Sequence, residues 1–232
     1  QLPPELRPHL ITFYMSQTDH AGHDYGPAAP ETGIAVRWVD SVIQKLSEAV
    51  RATGLPVNFV FVADHGMTQI DNINTITMPS VVDSSRFFIP RGFELVELYA
   101  KNKRDIKPVY KRLKRLEKDF TVYLNNNMPE HLHYRKEDDA KGVIGDILLV
   151  PAWPKIFYYP GKKPDPGAHG FDPALIKDMY TVFYAWGPNF KTGIHVPAFE
   201  NVNVYPVVTK ILGLTYAEKI DGSPDLADRI VK

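Results

Sequence analysis

The chain has 232 residues, of which 44% are hydrophobic and 23% charged, a composition typical of a folded domain rather than a disordered one. Its 27 Lys and Arg residues balance its 27 Asp and Glu residues, so no net basic charge favours nucleic acid or an anionic membrane, and no apolar run approaches the roughly 20 residues of a membrane span. Cysteine is absent, which excludes disulfides and thiolate ligands and leaves any metal to His, Asp and Glu.

The first third of the chain predicts a strand, a helix and a second strand. Residues 9–14 form a short apolar run, followed by a polar loop at 16–26. Apolar positions three and four residues apart predict a helix over about 31–53, and residues 57–63 form a nearly continuous apolar run typical of a buried strand. This order predicts a parallel α/β sheet with functional residues just after the carboxyl ends of its strands.

The middle of the chain predicts a small α+β insertion at about 86–145. Its expected elements are strands at 86–89 and 93–99, a helix at 105–118 and a strand at 121–124. The basic residues clustered at 101–118 are interpreted as a solvated helix face, because an apolar stripe lies opposite them. Further strands are predicted at 146–150 and 181–186, and a helix at 201–212.

Three short motifs carry residues suited to metal chemistry. Asp19 and His23 are four residues apart, so a helical turn can direct both at one ion. Asp64 and His65 directly follow the most apolar predicted strand, where a parallel sheet opens its cleft. His169 lies in the segment Gly-Ala-His-Gly, whose glycines allow a close backbone approach to a crowded site.

Each motif alone also fits an ordinary surface turn or loop. Together they supply five nitrogen and oxygen ligands of the kind that suits zinc. Five ligands are too many for one tetrahedral ion and too few for two, which suggests a dinuclear site whose remaining ligands are missing.

The order of these motifs resembles the nucleotide pyrophosphatase/phosphodiesterase family, within the alkaline phosphatase superfamily. The segments similar to its metal-binding motifs are YMSQTDHAGHDYGP at 14–27, ADHGM at 63–67 and GAHGFD at 167–172. PEHLHY at 129–134, GDI at 145–147 and FENVNVYP at 199–206 are also similar to family segments. The resemblance therefore extends over about residues 10–215.

The resemblance implies an alkaline-phosphatase-like α/β core, a largely parallel sheet flanked by helices, and two zinc ions that cleave phosphodiester or pyrophosphate bonds. At matching positions, Asp19, His23 and His169 would hold one zinc, and Asp64 and His65 part of the other. In the family, a further Asp and the nucleophilic Thr complete the second zinc site, and no Thr-containing segment here matches theirs. Residues 1–232 are thus expected to be the C-terminal part of one catalytic domain, with the upstream half as partner and inactive alone.

Tyr14 and Asp172 lie close in sequence to ligands and are candidates for supporting them, for lining the pocket, or for structural hydrogen bonds. The histidines outside the motifs are expected to be structural or exposed: His20, His131, His133 and His195.

Two other interpretations stay open, a catalytically silent metal-binding or interaction fragment and another phosphoryl hydrolase of the same superfamily. The expected partner of the active protein is a nucleotide or another small phosphodiester, with no stable binding of nucleic acid. The absence of cysteine favours a bacterial periplasmic or secreted enzyme.

Overall fold

The computed structural model describes residues 2–232. The helices are α1 (Gln17–Tyr25), α2 (Pro30–Arg51), α3 (Ile106–Lys114), α4 (Val204–Leu212) and α5 (Asp225–Ile230). The strands are β1 (Phe59–Val62), β2 (Thr68–Gln69), β3 (Phe87–Phe88), β4 (Val96–Ala100), β5 (Phe120–Leu124), β6 (Ile147–Pro151), β7 (Gly167–Ala168) and β8 (Phe183–Trp186). Within residues 2–232, no helix combines the length and the apolar character that crossing a membrane requires.

The chain divides into two compact units. The first unit contains Gln1–Ser16, Arg37–Asp64 and Thr181–Lys232, and the second contains Gln17–Val36 and His65–Tyr180.

The first unit is built on the antiparallel pair β1 and β8, in which Phe59 lies opposite Trp186. Their rings stack with centroids 4.9 Å apart and planes 8° from parallel. A core of six buried residues lies in the same unit and includes members of α4 and α5: Phe190, Val207, Leu226, Ala227, Ile230 and Val231. Partly buried side chains of both strands pack against this core, so the helices α4 and α5 stabilise the β1–β8 pair.

The first predicted strand is wrong. Residues 9–14 form no strand, and their apolar side chains are exposed: Leu10 by 56%, Ile11 by 63% and Phe13 by 64%. The predicted loop at 16–26 is also wrong over most of its length, because helix α1 occupies it. Because no strand precedes α2 within residues 2–232, the strand–helix–strand unit predicted around this helix does not form. The structure mixes helices and strands as an α/β protein does, but every ladder within residues 2–232 is antiparallel.

The second unit contains a four-stranded antiparallel sheet in the order β3-β4-β6-β5. Helix α3 presents Val109 and Leu113 to the core of this unit, and both are fully buried. The predicted strands and helix of the middle segment are present with shifted ends. Strand β6 lies between β4 and β5, so the sheet includes a strand beyond the segment 86–145.

A second, very short ladder in this unit positions the candidate site. Strand β2 pairs antiparallel with β7, with Thr68 opposite Ala168 and Gln69 opposite Gly167. Ala168 of β7 belongs to a separate buried cluster of five apolar residues, Ile70, Ile156, Ala168, Phe171 and Met179. Because His65 precedes β2 and His169 follows β7, this pairing brings two distant parts of the chain together.

Candidate metal centre

Helix α1 presents Asp19 and His23 on one face, four residues apart. The His23 ring is fixed by a 2.8 Å hydrogen bond between its Nδ1 and the carbonyl oxygen of Gly167. Because a carbonyl only accepts hydrogen bonds, Nδ1 carries the proton and Nε2 keeps a lone pair. Nε2 lies 3.6 Å from Oδ1 of Asp19, so a nitrogen and an oxygen that can both bind a cation face the same space.

Two glycines allow α1 to approach β7 closely. A Cβ atom on Gly167 would lie 2.0 Å from the carbonyl oxygen of Gly22, which belongs to α1. A Cβ atom on Gly22 would lie 3.1 Å from Cγ of Met67. The end of α1 is also tied to the start of α2, because the buried Thr32 hydroxyl contacts the carbonyl oxygen of Gly26 at 2.7 Å. The absence of a Cβ atom at Gly22 and Gly167 therefore allows the short distance between α1 and the β2–β7 ladder.

His65 and His169 lie at the same end of the β2–β7 ladder, because Thr68 at the start of β2 pairs with Ala168 at the end of β7. Their rings stack with centroids 3.5 Å apart and planes 14° from parallel. Nε2 of His65 is 3.8 Å from Oδ1 of Asp19. The loop after His65 is fixed at Gly66, whose N–H donates to the carbonyl oxygen of Met179 at 3.1 Å. A side chain at Gly66 is excluded, because its Cβ would lie 1.9 Å from the carbonyl oxygen of Asp178.

These contacts produce a cluster of three ligand-type side chains. One nitrogen or oxygen atom each from Asp19, His65 and His169 lies within 4.8 Å of the other two. Oδ1 of Asp19 is buried and has no hydrogen-bond partner among the residues that the structure describes. A buried carboxylate oxygen without a donor is destabilising unless a cation compensates it. One carboxylate and two imidazoles form a donor set that fits zinc.

The cluster combines residues that the sequence assigned to two different ions. Asp19 and His169 were expected at one zinc and His65 at the other. His23 lies beside them, with its ring centroid 5.1 Å from that of His169. Asp64 belongs to the first unit, where Nδ2 of Asn201 donates to its carbonyl oxygen at 3.2 Å.

The two further candidates lie in different environments. Asp172 accepts a 2.8 Å hydrogen bond from Nε2 of His131, a histidine that the sequence marked as structural or exposed. Tyr14 lies in the irregular segment of the first unit and its side chain is 77% exposed.

Glu94 is a carboxylate near the centre that sequence reasoning missed. Burial raises the pKa of its carboxyl above the usual value, and hydrogen bonding to its own backbone N–H and the nearby imidazole of His23 oppose this shift. Its Cβ is 3.6 Å from where a Cβ of Gly170 would lie. The surrounding residues, Gly-Phe-Glu-Leu-Val, carry no recognisable motif, so only the three-dimensional fold identifies this side chain.

The chain is similar to known proteins over most of its length. Residues 3–172 match the family model described as "Type I phosphodiesterase / nucleotide pyrophosphatase". Ectonucleotide pyrophosphatase/phosphodiesterase family member 7 of Homo sapiens is 32% identical over 88% of this chain and 45% of the relative. Family member 1 of Rattus norvegicus is 28% identical over 92% of this chain and 24% of the relative.

Venom phosphodiesterase CdcPDE of Crotalus durissus collilineatus is 28% identical over the whole chain and 28% of the relative. Among solved structures, human ectonucleotide pyrophosphatase / phosphodiesterase 5 aligns with a TM-score of 0.79 and 24% identity, covering 91% of this chain and 56% of that one. The murine protein, as an inactive variant in complex with AMP, gives the same TM-score at 26% identity. The chain thus spans between a quarter and about half of the length of these proteins and shares their alkaline-phosphatase-like α/β fold.

Proposed function

Because the chain belongs to the type I phosphodiesterase / nucleotide pyrophosphatase family, we propose that it supplies metal ligands to a zinc-dependent hydrolase of phosphodiester or pyrophosphate bonds. The relatives named above are phosphodiesterases and pyrophosphatases. The observation that carries the proposal is the cluster of Asp19, His65 and His169, with its buried carboxylate oxygen that lacks a donor.

The chemistry of the donor set supports zinc in particular. Neutral imidazoles and a carboxylate, without sulfur, match the ligands of catalytic rather than structural zinc sites. Zinc held there would supply Lewis acidity for the negative charge that develops on phosphoryl oxygens during hydrolysis. The protein's own contribution is orientation, since the bond from His23 to Gly167 fixes the imidazole beside Asp19.

We propose that two zinc ions bind in the complete protein. The assignment follows the family resemblance, with Asp19, His23 and His169 at one ion and Asp64 and His65 at the other. The nucleophile is proposed to be a Thr upstream of Gln1, which would form a covalent intermediate that water then hydrolyses. The chain alone is then expected to bind metal without turning over substrate.

We propose a nucleotide or a related small phosphodiester as the substrate. The complex of murine ectonucleotide pyrophosphatase / phosphodiesterase 5 with AMP supports a nucleotide. Relatives named as a venom phosphodiesterase and as ectonucleotide pyrophosphatase/phosphodiesterases support a location outside the cell.

Zinc titration of the 232-residue chain tests the metal site directly. A chromophoric chelator competes with the protein, and we expect the unaltered chain to take up zinc. Asp19→Asn and His169→Ala are expected to weaken binding by about tenfold or more, because the first replaces a carboxylate ligand by a neutral amide and the second removes an imidazole ligand. His195→Ala changes an exposed histidine of the first unit and serves as the control. Equal affinity in all four proteins would refute the site.

Hydrolysis of a chromogenic phosphodiester tests the activity in the longer protein that contains this chain. A chelator is expected to abolish hydrolysis and added zinc to restore it. A protein that binds zinc through Asp19 and His169 but hydrolyses no phosphodiester or pyrophosphate would instead indicate a catalytically silent metal-binding protein.

A further inference from the structure

The segment from His169 to Asp172 is anchored at both ends. On one side, β7 pairs with β2 directly before His169. Gly170 has a φ of +93°, so the chain turns sharply after the histidine. On the other side, Oδ1 of Asp172 accepts the N–H of Ala174 at 2.8 Å. The position of the His169 ring therefore depends on how firmly Asp172 holds the far end of this turn.

The second oxygen of Asp172 is bound from a different part of the chain. Oδ2 accepts from Nε2 of His131 at 2.8 Å, across 41 residues of sequence. The Asp172 side chain is only 15% exposed, and that of His131 is 50% exposed. This is the only side-chain hydrogen bond described for Asp172 that reaches outside its own turn, within residues 2–232.

His131 comes from a turn that its own hydrogen bonds hold rigid. It lies in the 3₁₀ helix Glu130–Leu132, which ends at His133 in the left-handed conformation with a φ of 47°. The N–H of His133 donates to the carbonyl oxygen of Glu130 at 3.0 Å. Nε of Arg135 donates to the carbonyl oxygen of Met128 at 2.6 Å. A rigid turn can thus present the imidazole of His131 to Asp172 in one orientation.

We propose that His131 is a positioning residue for His169, acting through Asp172. The inference rests on the metal site proposed above and adds a residue to it. With the His131 bond, Asp172 is held both by its own turn and by the 128–135 segment, so rotation about Gly170 is restricted. Without it, the buried Phe171 still anchors the turn, but no side chain from outside the turn holds Asp172 in the part of the chain that the structure describes. The orientation of His169 toward Asp19 is then less restricted. Supporting residues of this kind typically change metal affinity by about tenfold or more when they are lost.

The test uses the full 232-residue chain and three variants. His131→Ala removes the bond, while His131→Gln keeps an N–H donor at a similar reach. His195→Ala is the matched control, because it removes an exposed histidine elsewhere. Hydrogen exchange of the amides at residues 170–172 is measured without metal, and zinc affinity is measured by competition with a chelator. Thermal unfolding of each variant verifies that it folds.

We expect His131→Ala to speed hydrogen exchange of the amides at 170–172 several-fold. We also expect it to weaken zinc binding by about tenfold, the lower end of the range typical for loss of a residue that supports a ligand. His131→Gln is expected to restore both, and His195→Ala to change neither. Unchanged exchange in His131→Ala overturns the proposal, as does faster exchange with unchanged zinc affinity. If the unaltered chain takes up no zinc, the proposed function fails, and the exchange measurement alone decides whether His131 orders the segment.

Discussion

Replacing Gly167 by alanine tests whether the closeness of α1 and β7 builds the metal centre. The new Cβ would lie 2.0 Å from the carbonyl oxygen of Gly22 and 2.8 Å from its carbonyl carbon. Both are backbone atoms, so no side chain can rotate away. Cβ contacts below 3.0 Å are essentially never found, so the helix must move from the ladder by about 1 Å.

The expected loss follows from that displacement. Overpacking of this kind costs about 1–3 kcal/mol, and weakening the bond from His23 to Gly167 adds about 1 kcal/mol. We therefore expect Gly167→Ala to lower the free energy of unfolding by about 2–4 kcal/mol. Asp19 moves with the helix, and zinc ligands tolerate only about 0.2 Å of misplacement, so zinc affinity should fall by tenfold or more.

Urea unfolding and chelator competition measure the two effects. Gly161→Ala is a suitable control, because no atom lies within 4 Å of its new Cβ and only the strain of its φ of +70° remains. That variant should lose about 1–2 kcal/mol of stability and keep its zinc affinity. If Gly167→Ala matches the unaltered chain in both measurements, glycine at this position does not set the geometry of the centre.

Two further changes probe other parts of the second unit. Thr68 is fully buried, donates to Oδ2 of Asp178 at 2.7 Å and accepts from Nε1 of Trp153 at 3.1 Å, so Thr68→Val should destabilise the protein to urea by about 1–3 kcal/mol. Hydrogen bonds from backbone N–H groups, the strongest from Ile144, lower the pKa of Asp139 below its ordinary 3.8. Its carboxylate therefore stabilises the fold above pH 3.8, and this stabilisation is lost as the pH falls through the lowered pKa. The difference in urea midpoint between the unaltered chain and Asp139→Asn should be present at pH 7 and disappear well below pH 3.8.

Matched control variants show whether the expected losses of stability come from the buried hydroxyl and the hydrogen-bonded carboxylate or from the substitution type alone. Thr121 is exposed on β5, so Thr121→Val should leave the urea midpoint nearly unchanged. Asp165 is exposed, and Asp165→Asn should show little difference from the unaltered chain at either pH. A Thr68→Val protein as stable as Thr121→Val would contradict the role of the buried hydroxyl. A midpoint difference for Asp139→Asn that persists at the lowest pH would contradict the titration argument.

Much of the middle of the fold could be predicted because local pattern and burial agree there. In α3, Val109 and Leu113 are four residues apart and both fully buried, while Lys111 and Arg112 between them are exposed. In β5, Phe120 and Val122 are buried on one face and Thr121 is exposed on the other. The periodicity of apolar residues predicts a helix or strand reliably where one face of that element packs against the core.

The start of the chain was mispredicted because its composition and its environment disagree. Residues 9–14 have the apolar content of a strand but pair with no strand in the described part of the chain. Conversely, α1 has a polar sequence with only Gly22 buried, so no apolar stripe marks it as a helix.

The motifs point to side chains that the structure brings together, but they do not indicate which of these side chains lie in one cluster. The motifs identified Asp19, His65 and His169 because those residue types bind metal, whereas no motif contains Glu94 and sequence reasoning did not expect His131 to pair with Asp172. Which ligands share a cluster depends on the β2–β7 pairing, and a two-residue strand leaves too short a pattern to detect.

The same pairing has a consequence for folding. The bond from His23 to Gly167 joins residues 144 positions apart, so the metal ligands meet only after a very long loop closes. Long-range contacts form late and slowly, because the entropy of loop closure is lost before the contact stabilises the chain. Zinc is therefore expected to bind after the chain has folded, and to stabilise the folded site rather than to start its formation. Added zinc should slow unfolding while leaving the refolding rate unchanged in stopped-flow experiments, and faster refolding with zinc would show that the ligands assemble early.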